Sequence, residues 1–201
     1  MFERKTKQKN GTLWFLIILL AIVAALIIFL PSNEKSGEVK ADEPTEAAAE
    51  ELSEYDNVKV GDMAPDFTLP MYGGGEVKFS ALKGKVVLLN FWATWCPPCM
   101  QELSTVQEQI IDRFNGEEFA FIFASRGDSV EAIEKCRRDR GFNFPMAMDQ
   151  NEEVFKLFAK KGIPHNYLID REGRIVHIEL GYTPEDFAEF VKKIANTKNT
   201  K

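Results

Sequence analysis

Residues 86–99 read VVLLNFWATWCPPC, an apolar run followed after a short aromatic turn by two cysteines. The run is continuous and begins with two valines, which is typical of a strand covered on both faces. Pro97 and Pro98 suit the first turn of a helix, where a missing backbone N–H costs little. The stretch therefore predicts a buried strand that leads through a turn into a helix beginning at the cysteine pair.

The two cysteines occupy positions with different chemistry. Cys96 falls at the predicted helix N-terminus, where unpaired amides and the helix dipole favour an anion, so its thiol should ionise more readily than a free thiol of pKa about 8.5. Cys99 lies about one turn further along the same side, near enough to form a disulfide with Cys96 and release a mixed-disulfide partner. Because the thiolate is the nucleophile in such exchange, the pair is predicted to do redox work.

Two other uses of the pair are less well supported. A closed zinc site needs four ligands, and beyond the pair the sequence offers only Cys136, His165 and His177. A permanent disulfide closing so short a loop would stabilise the fold little. Cys136 shares a helix face with Ala132 and Ile133, which favours a buried unpaired thiol. We therefore expect no metal site.

The remainder of the sequence alternates between strand-like and helix-like segments, which is typical of an α/β domain with helices on both faces of a sheet. Three glycines at 73–75 indicate a hairpin, and the turn at 170–173 predicts antiparallel pairing of the last two strands. The sheet is therefore predicted to be mixed. The predicted strands are 67–69, 77–79, 86–91, 119–124, 167–169 and 174–180, and the predicted helices are 97–114, 129–140, 152–160 and 185–195.

An unbroken apolar segment lies near the N-terminus. Residues 13–30 are all apolar, and no charged residue occurs between Lys9 and Glu34. As a helix this segment would be about 27 Å long, enough to cross a hydrocarbon core of roughly 30 Å. A cleaved signal peptide would have a shorter apolar stretch and a small-residue cleavage site close behind it. We therefore predict an uncleaved transmembrane anchor.

The flanking charges predict the orientation of this anchor. The head, residues 1–12, carries basic residues, and such residues are retained on the cytoplasmic side. Residues 31–57 carry nine acidic residues against two lysines and few large apolar side chains. This segment is predicted to be a flexible tether, and residues 58–201 to form the globular domain outside the cytoplasmic membrane.

The overall composition excludes several classes of protein. Of the 201 residues 45% are hydrophobic, the net charge is -6, and three residues are cysteines. A disordered chain would be less apolar, a disulfide-stabilised miniprotein would hold more cysteine, and a nucleic-acid binder would be basic. We expect no nucleic-acid partner.

The motifs together resemble a known family. The segment Trp95 to Cys99, the strand before it and the Gly-Ile-Pro at 162–164 are similar to the thioredoxin superfamily. The sequence GDMAPDFTL at 61–69 and the insertion between residues 128 and 160 resemble its membrane-anchored TlpA and ResA type. The resemblance covers about residues 58–195. It implies a thioredoxin-like α/β fold, a mixed central sheet flanked by helices, with an added N-terminal β-hairpin and a central insertion.

The resemblance also implies roles for individual residues. Cys96 would be the attacking nucleophile and Cys99 the resolving thiol of a redox disulfide. Pro164 would be a cis-proline that exposes the backbone of Ile163 for strand-like pairing with a substrate segment. Glu102 matches an acidic position of the ResA type and would move the proton of Cys99 during resolution.

Four further residues are expected near the pair: Asn90, Trp92, Trp95 and His165. Trp92 and Trp95 are expected to line and shield the site, with Trp95 contacting substrate. Asn90 stands where thioredoxins have a buried aspartate, which leaves Glu102 as the candidate acid. His165 stands where threonine is usual, and either lies near the sulfurs, where its cationic form would stabilise a thiolate, or packs at the start of a strand.

Two positions have a purely structural interpretation. Ser104 stands where the family often has a helix-bending proline, which leaves the shape of that helix open. Asp128 is expected to cap the following helix.

The activity implied by the resemblance is thiol-disulfide exchange with protein substrates, without a cofactor. Family members commonly act as reductants, for example of apocytochrome c, and receive electrons from a membrane thiol donor. One alternative is a copper chaperone using Cys96, Cys99 and His165, although such proteins usually have a CxxxC spacing. The other is a thiol peroxidase, since the opening APDF also occurs in peroxiredoxins, but their PxxxTxxC motif does not occur at either cysteine.

Overall fold

The computed structural model describes residues 54–197, and a five-stranded mixed sheet organises them, in the order β5-β4-β3-β6-β7. Strand β3 is central, parallel to β4 and antiparallel to β6. Strands β1 and β2 form a separate antiparallel hairpin. The strands are β1 (Thr68–Pro70), β2 (Glu76–Lys78), β3 (Val86–Trp92), β4 (Phe119–Arg126), β5 (Ala147–Asp149), β6 (His165–Ile169) and β7 (Ile175–Leu180).

Helices cover both faces of this sheet. One core cluster joins α1, α2 and α4 to one face of β3, and a second cluster joins α3 and the hairpin to the other. Helix α1 continues into a π-helical turn at Gln107–Ile111, and a 3-10 turn at Phe79–Leu82 follows β2. The helices are α1 (Pro97–Val106), α2 (Val130–Arg140), α3 (Phe155–Phe158) and α4 (Pro184–Thr197).

Strand β3 is buried at all seven positions. Successive side chains of a strand point to opposite faces, so Val86 and Leu88 pack in one cluster and Val87 and Leu89 in the other. The pairing of β3, parallel with β4 and antiparallel with β6, together with the helices on both faces, confirms the predicted mixed sheet and thioredoxin-like fold. It also places the residues after Trp92 at the end of the sheet where the carboxyl ends of the parallel strands β3, β4 and β5 lie side by side.

Two elements differ most from the sequence prediction, while the helix predicted over 97–114 ends as a π-helical turn at Ile111 and other bounds shift by one or two residues. Strand β5 was not predicted, because a three-residue strand offers too few positions for a periodic pattern. The helix predicted over 152–160 is limited to Phe155–Phe158. Glu152 has a left-handed φ of 58°, and Ala159 is extended and pairs with Asp56. Neither residue has a helical conformation, so Glu152 limits α3 at its start and Ala159 limits it at its end.

The packed domain begins before residue 58. Asp56 forms an antiparallel bridge with Ala159, and the Asn57 amide donates to the Phe158 carbonyl at 2.8 Å. Residues 54–57, which the sequence assigns to the tether, therefore lie against the domain. The anchor predicted at 13–30 lies outside the described residues. Among the helices of residues 54–197, none has the length and apolar character needed to span a membrane.

Candidate active site

The cysteine pair lies at the start of α1, where β3 delivers the chain. Cys96 is the N-cap residue of the helix and is joined to Cys99 by a disulfide. The Cys99 amide donates to the Cys96 sulfur at 3.2 Å. After reduction the same amide would stabilise a thiolate on Cys96, because a charged acceptor strengthens the hydrogen bond. Cys99 is fully buried and Cys96 is 3% exposed, so Cys96 is the sulfur nearer to solvent.

The loop before β6 lies opposite this sulfur. The bond between Ile163 and Pro164 is cis, as expected from the sequence. The Ile163 carbonyl oxygen is 3.8 Å from the Cys96 sulfur. Strand β6 brings this loop there, because its first residue, His165, pairs with Phe91 near the end of β3. A backbone segment is thus presented beside the nucleophile position, where an extended substrate could pair with it.

Glu102 lies beneath the pair, one turn further along α1, and only 1% of it is exposed. Its Oε1 accepts hydrogen bonds from Asn166 at 2.8 Å and from Asn90 at 3.2 Å. Within residues 54–197 its other carboxyl oxygen, Oε2, has no hydrogen-bond partner. The carboxyl group is therefore held by two amides with one oxygen left for a proton.

Burial raises the pKa of the Glu102 carboxyl to about 8. The hydrogen bonds from Asn166 and Asn90 act in the opposite direction and lower this pKa. Removing a carboxylate from water disfavours its charged form more than two amide donors compensate. A group with a pKa near neutrality gives up and accepts protons at the pH where thiols react. This fits the proton-transfer role that the family resemblance implies for Glu102.

His165 does not contact the cysteines. Its side chain is fully buried on the face of β6 opposite Asn166, where Nε2 lies 3.1 Å from Asp56 Oδ1. Its ring stacks on Tyr167, with centroids 4.8 Å apart. The Tyr167 hydroxyl donates to the same Asp56 oxygen, and burial together with that bond raises the pKa of Tyr167. Of the two expected placements, the structure shows packing at the start of the strand.

Asp128 fixes the loop that carries the cysteines. Its carboxylate accepts from the Thr94 amide at 2.8 Å and from the Thr94 hydroxyl at 2.7 Å. The hydroxyl of Ser125 donates to the same group. The expectation that Asp128 caps α2 is wrong, because Ser129 is the N-cap residue and accepts from the Ala132 amide. A carboxylate already committed to Thr94 and Ser125 is directed away from the helix amides.

The two tryptophans have different environments. Trp92 is fully buried at the end of β3, whereas Trp95, immediately before the nucleophile, is 65% exposed. Trp95 therefore offers an exposed apolar surface next to Cys96 in the chain. Cys136 is only partly buried, and its sulfur contacts Met100 at 3.6 Å; burial raises the pKa of this thiol.

Three residues of this region were not identified from sequence as partners of the site. Asn166 and Asp56 are buried polar residues whose importance depends on contacts with residues distant in sequence. Asp128 was assigned to another role. The sequence offered no signal for Asn166, because it lies outside the strand predicted at 167–169, whereas the structure places it in β6. Within residues 54–197 no cluster of three His, Cys, Asp or Glu side chains could hold a metal ion.

Comparisons with known proteins agree on one kind of chemistry. The profile of the AhpC/TSA family matches residues 60–178. The thiol-disulfide oxidoreductase ResA of Bacillus subtilis (strain 168) is 30% identical over 141 residues, which are 68% of this chain and 78% of ResA.

Solved structures give the same result. A candidate protein disulfide isomerase of Bacteroides thetaiotaomicron aligns with a TM-score of 0.69 and 34% identity, over 73% of this chain and 94% of that one. A candidate thiol:disulfide interchange protein DsbE of Chlorobium tepidum aligns with a TM-score of 0.65 and 30% identity, over 70% and 99%.

Proposed function

Because the chain belongs to the AhpC/TSA family, we propose that it exchanges disulfides with proteins outside the cytoplasmic membrane and acts there as a reductant. It is a thiol-disulfide oxidoreductase of the type that ResA and DsbE represent. The observation that carries the proposal is the sulfur of Cys96, which lies between the Cys99 amide at 3.2 Å and the Ile163 carbonyl at 3.8 Å.

The reaction begins with reduced Cys96 and Cys99. The Cys96 thiolate attacks a substrate disulfide, so that a bond forms between Cys96 and one substrate sulfur while the substrate S–S bond breaks. The second substrate sulfur leaves as a thiolate and takes a proton. The extended substrate segment pairs with the backbone of Ile163, which holds the reacting sulfurs in line.

Resolution releases the substrate. The thiol of Cys99 loses its proton and attacks the Cys96 sulfur, which forms the disulfide seen in the structure and frees the first substrate sulfur. The substrate gains two electrons and the enzyme loses two. The ionised form of Glu102 takes the proton of Cys99, since the carboxyl group lies one helical turn away and its pKa of about 8 leaves an ionised fraction at neutral pH. A membrane dithiol donor then returns two electrons to the pair.

The proposed location rests on the sequence before residue 54. The apolar residues 13–30 would anchor the chain in the membrane, with the basic head in the cytoplasm. The domain would then meet proteins in a compartment where disulfides persist. Apocytochrome c, whose haem-binding cysteines must be reduced before haem attachment, is the proposed example of a substrate.

Two other functions find less support. A copper site on Cys96, Cys99 and His165 is disfavoured because the His165 ring is bonded to Asp56. A thiol peroxidase would need the PxxxTxxC motif, which is absent at both cysteines.

Replacement of single cysteines tests the proposal. Cys96→Ser should abolish the acceleration of insulin reduction by dithiothreitol that the wild-type protein provides, because the nucleophile is lost. With Cys99→Ser the reaction should stop at the mixed disulfide between Cys96 and the substrate. When this variant is incubated with an envelope extract, it should therefore yield covalent adducts with cysteine-containing proteins. Cys136→Ser is the matched control and should keep the wild-type rate. Full activity of Cys96→Ser, or a faster reaction of the reduced protein with hydrogen peroxide than with insulin, would contradict the proposal.

A further inference from the structure

A short N-terminal strap, residues 55–57, is bound to the chain that leads into the cis-proline loop. The Lys160 amide donates to the Tyr55 carbonyl at 2.7 Å, and the Asn57 amide donates to the Phe158 carbonyl at 2.8 Å. The side-chain amide of Asn57 donates to the Lys156 carbonyl, also at 2.8 Å. These bonds hold the strap beside residues 156–160 through the backbone.

The middle residue of the strap sends its side chain inward. Asp56 is 4% exposed, and its Oδ1 accepts from Tyr167 and lies 3.1 Å from His165 Nε2. Within the described chain the second oxygen, Oδ2, and His165 Nδ1 are buried without a partner. A buried carboxylate is costly unless its environment compensates it. Here Tyr167 and His165 compensate the Asp56 carboxylate, and the contact fixes the His165 ring.

His165 is covalently joined to the substrate loop. It follows Pro164 directly, and its backbone is held between Phe91 of β3 and Leu180 of β7. Its ring is fixed by Asp56 and by stacking on Tyr167. The Asp56 carboxylate of the strap thus determines the orientation of the His165 ring. This contact lies on the side of the sheet away from the cysteines.

We propose that Asp56 is a positioning residue that acts through His165 to hold the Ile163 backbone at the Cys96 sulfur, so that the strap is part of the polypeptide-binding site. The inference rests on the proposed function, in which a substrate segment pairs with Ile163. A polypeptide disulfide depends on that pairing, whereas a small disulfide needs only the Cys96 sulfur.

The test compares two probes on the full-length chain carrying Asp56→Asn. The variant should raise KM for insulin by about tenfold, in the range of measured couplings between contacting residues, and leave kcat within about twofold. Its rate with hydroxyethyl disulfide should stay within about twofold of wild type. Glu134→Gln, which removes an exposed carboxylate on α2, is the matched control and should change neither value.

A second variant keeps the test independent of any folding defect in the first. His165→Gln should give the same selective rise in KM, and the double variant should be no worse than either single one, because both changes break one connection. An unchanged KM for insulin, equal losses with both probes, or additive effects in the double variant would overturn the inference. A wild-type protein that reduces neither probe would instead refute the proposed function.

Discussion

Glu102 has chemistry set by its surroundings. Its carboxyl group is buried and accepts two amide hydrogen bonds, and among the residues from 54 to 197 its second oxygen has no partner. The folded protein therefore holds a proton on Glu102 up to about pH 8, whereas an ordinary glutamate has a pKa of 4.5. Since the folded state binds more protons than the unfolded state between these values, stability must fall as pH rises through this window.

Glu102→Gln tests this coupling between protonation and stability. Wild-type protein should lose roughly 3 kcal/mol of unfolding free energy relative to Glu102→Gln between about pH 5 and pH 8. Urea denaturation of the oxidised proteins at both pH values gives the comparison. Glu134→Gln, at an exposed position of α2, should retain the wild-type slope. Parallel pH dependence of wild type and Glu102→Gln would show that the carboxyl group ionises normally.

The sequence was sufficient to locate the residues with local signals. The cysteine pair is identified by a strand, a turn and two prolines within fourteen positions, all short-range features. The partners of Glu102 could not be identified in that way, because Asn90 and Asn166 come from neighbouring strands that only the register of β3 and β6 places side by side. The contact of Asp56 with His165 joins residues more than a hundred positions apart and has no local signal.

The turn before β6 connects the strap, the substrate loop and β7. Gly162 has a left-handed φ of +86°, and a Cβ there would lie 2.8 Å from Leu180 and 3.5 Å from Tyr55. Gly74, in the hairpin between β1 and β2, has a φ of +112°, and in the described part of the chain no atom other than those of its chain neighbours lies within 4 Å of such a Cβ. The two glycines share an unfavourable backbone conformation and differ in the space around them.

Alanine substitutions at these two glycines separate strain from crowding. Gly74→Ala should destabilise the protein by about 1 kcal/mol through backbone strain alone. Gly162→Ala should cost roughly 1 to 3 kcal/mol more, because the new methyl group overlaps Leu180. Urea denaturation at neutral pH measures both. Equal losses at the two positions would mean that Leu180 moves aside freely and that the turn is loosely packed.

The sequence predicted helices and strands correctly where the hydrophobic pattern and the length of the segment indicate the same kind of element. Strand β3 is buried on both faces, so its continuous apolar run was unambiguous. The apolar residues around α3 looked helical over a longer range, but the bridge between Asp56 and Ala159 ends the helix. A tertiary contact therefore overrode a local preference, which a single sequence does not reveal.

The whole chain combines the described domain with an N-terminal region that is defined by sequence alone. Residues 13–30 are uniformly apolar, and the acidic excess lies mainly in residues 31–57. The net charge of -6 therefore says little about the substrates of the domain. A membrane anchor would confine the reaction to the membrane surface. The strap, residues 55–57, would then be the point where the tether joins the domain.

Cell fractionation tests the proposed anchor. The full-length chain should remain with membranes after alkaline carbonate washing, because an apolar helix of this length inserts at about −0.3 to −0.6 kcal/mol per large apolar residue. A chain lacking residues 1–30 should appear in the soluble fraction. Protease added outside intact protoplasts should remove the domain and leave the basic head. Release of the full-length chain by carbonate would refute the anchor.

The burial of Cys99 has a consequence for the lifetime of the covalent complex with a substrate. Its sulfur is fully covered, whereas the neighbouring Trp95 is open to solvent. Cys99 attacks from inside the fold, so release of a client by the enzyme does not draw on the small thiols of the surroundings. Changes in the external thiol pool should then leave the rate of Cys99-dependent release unchanged.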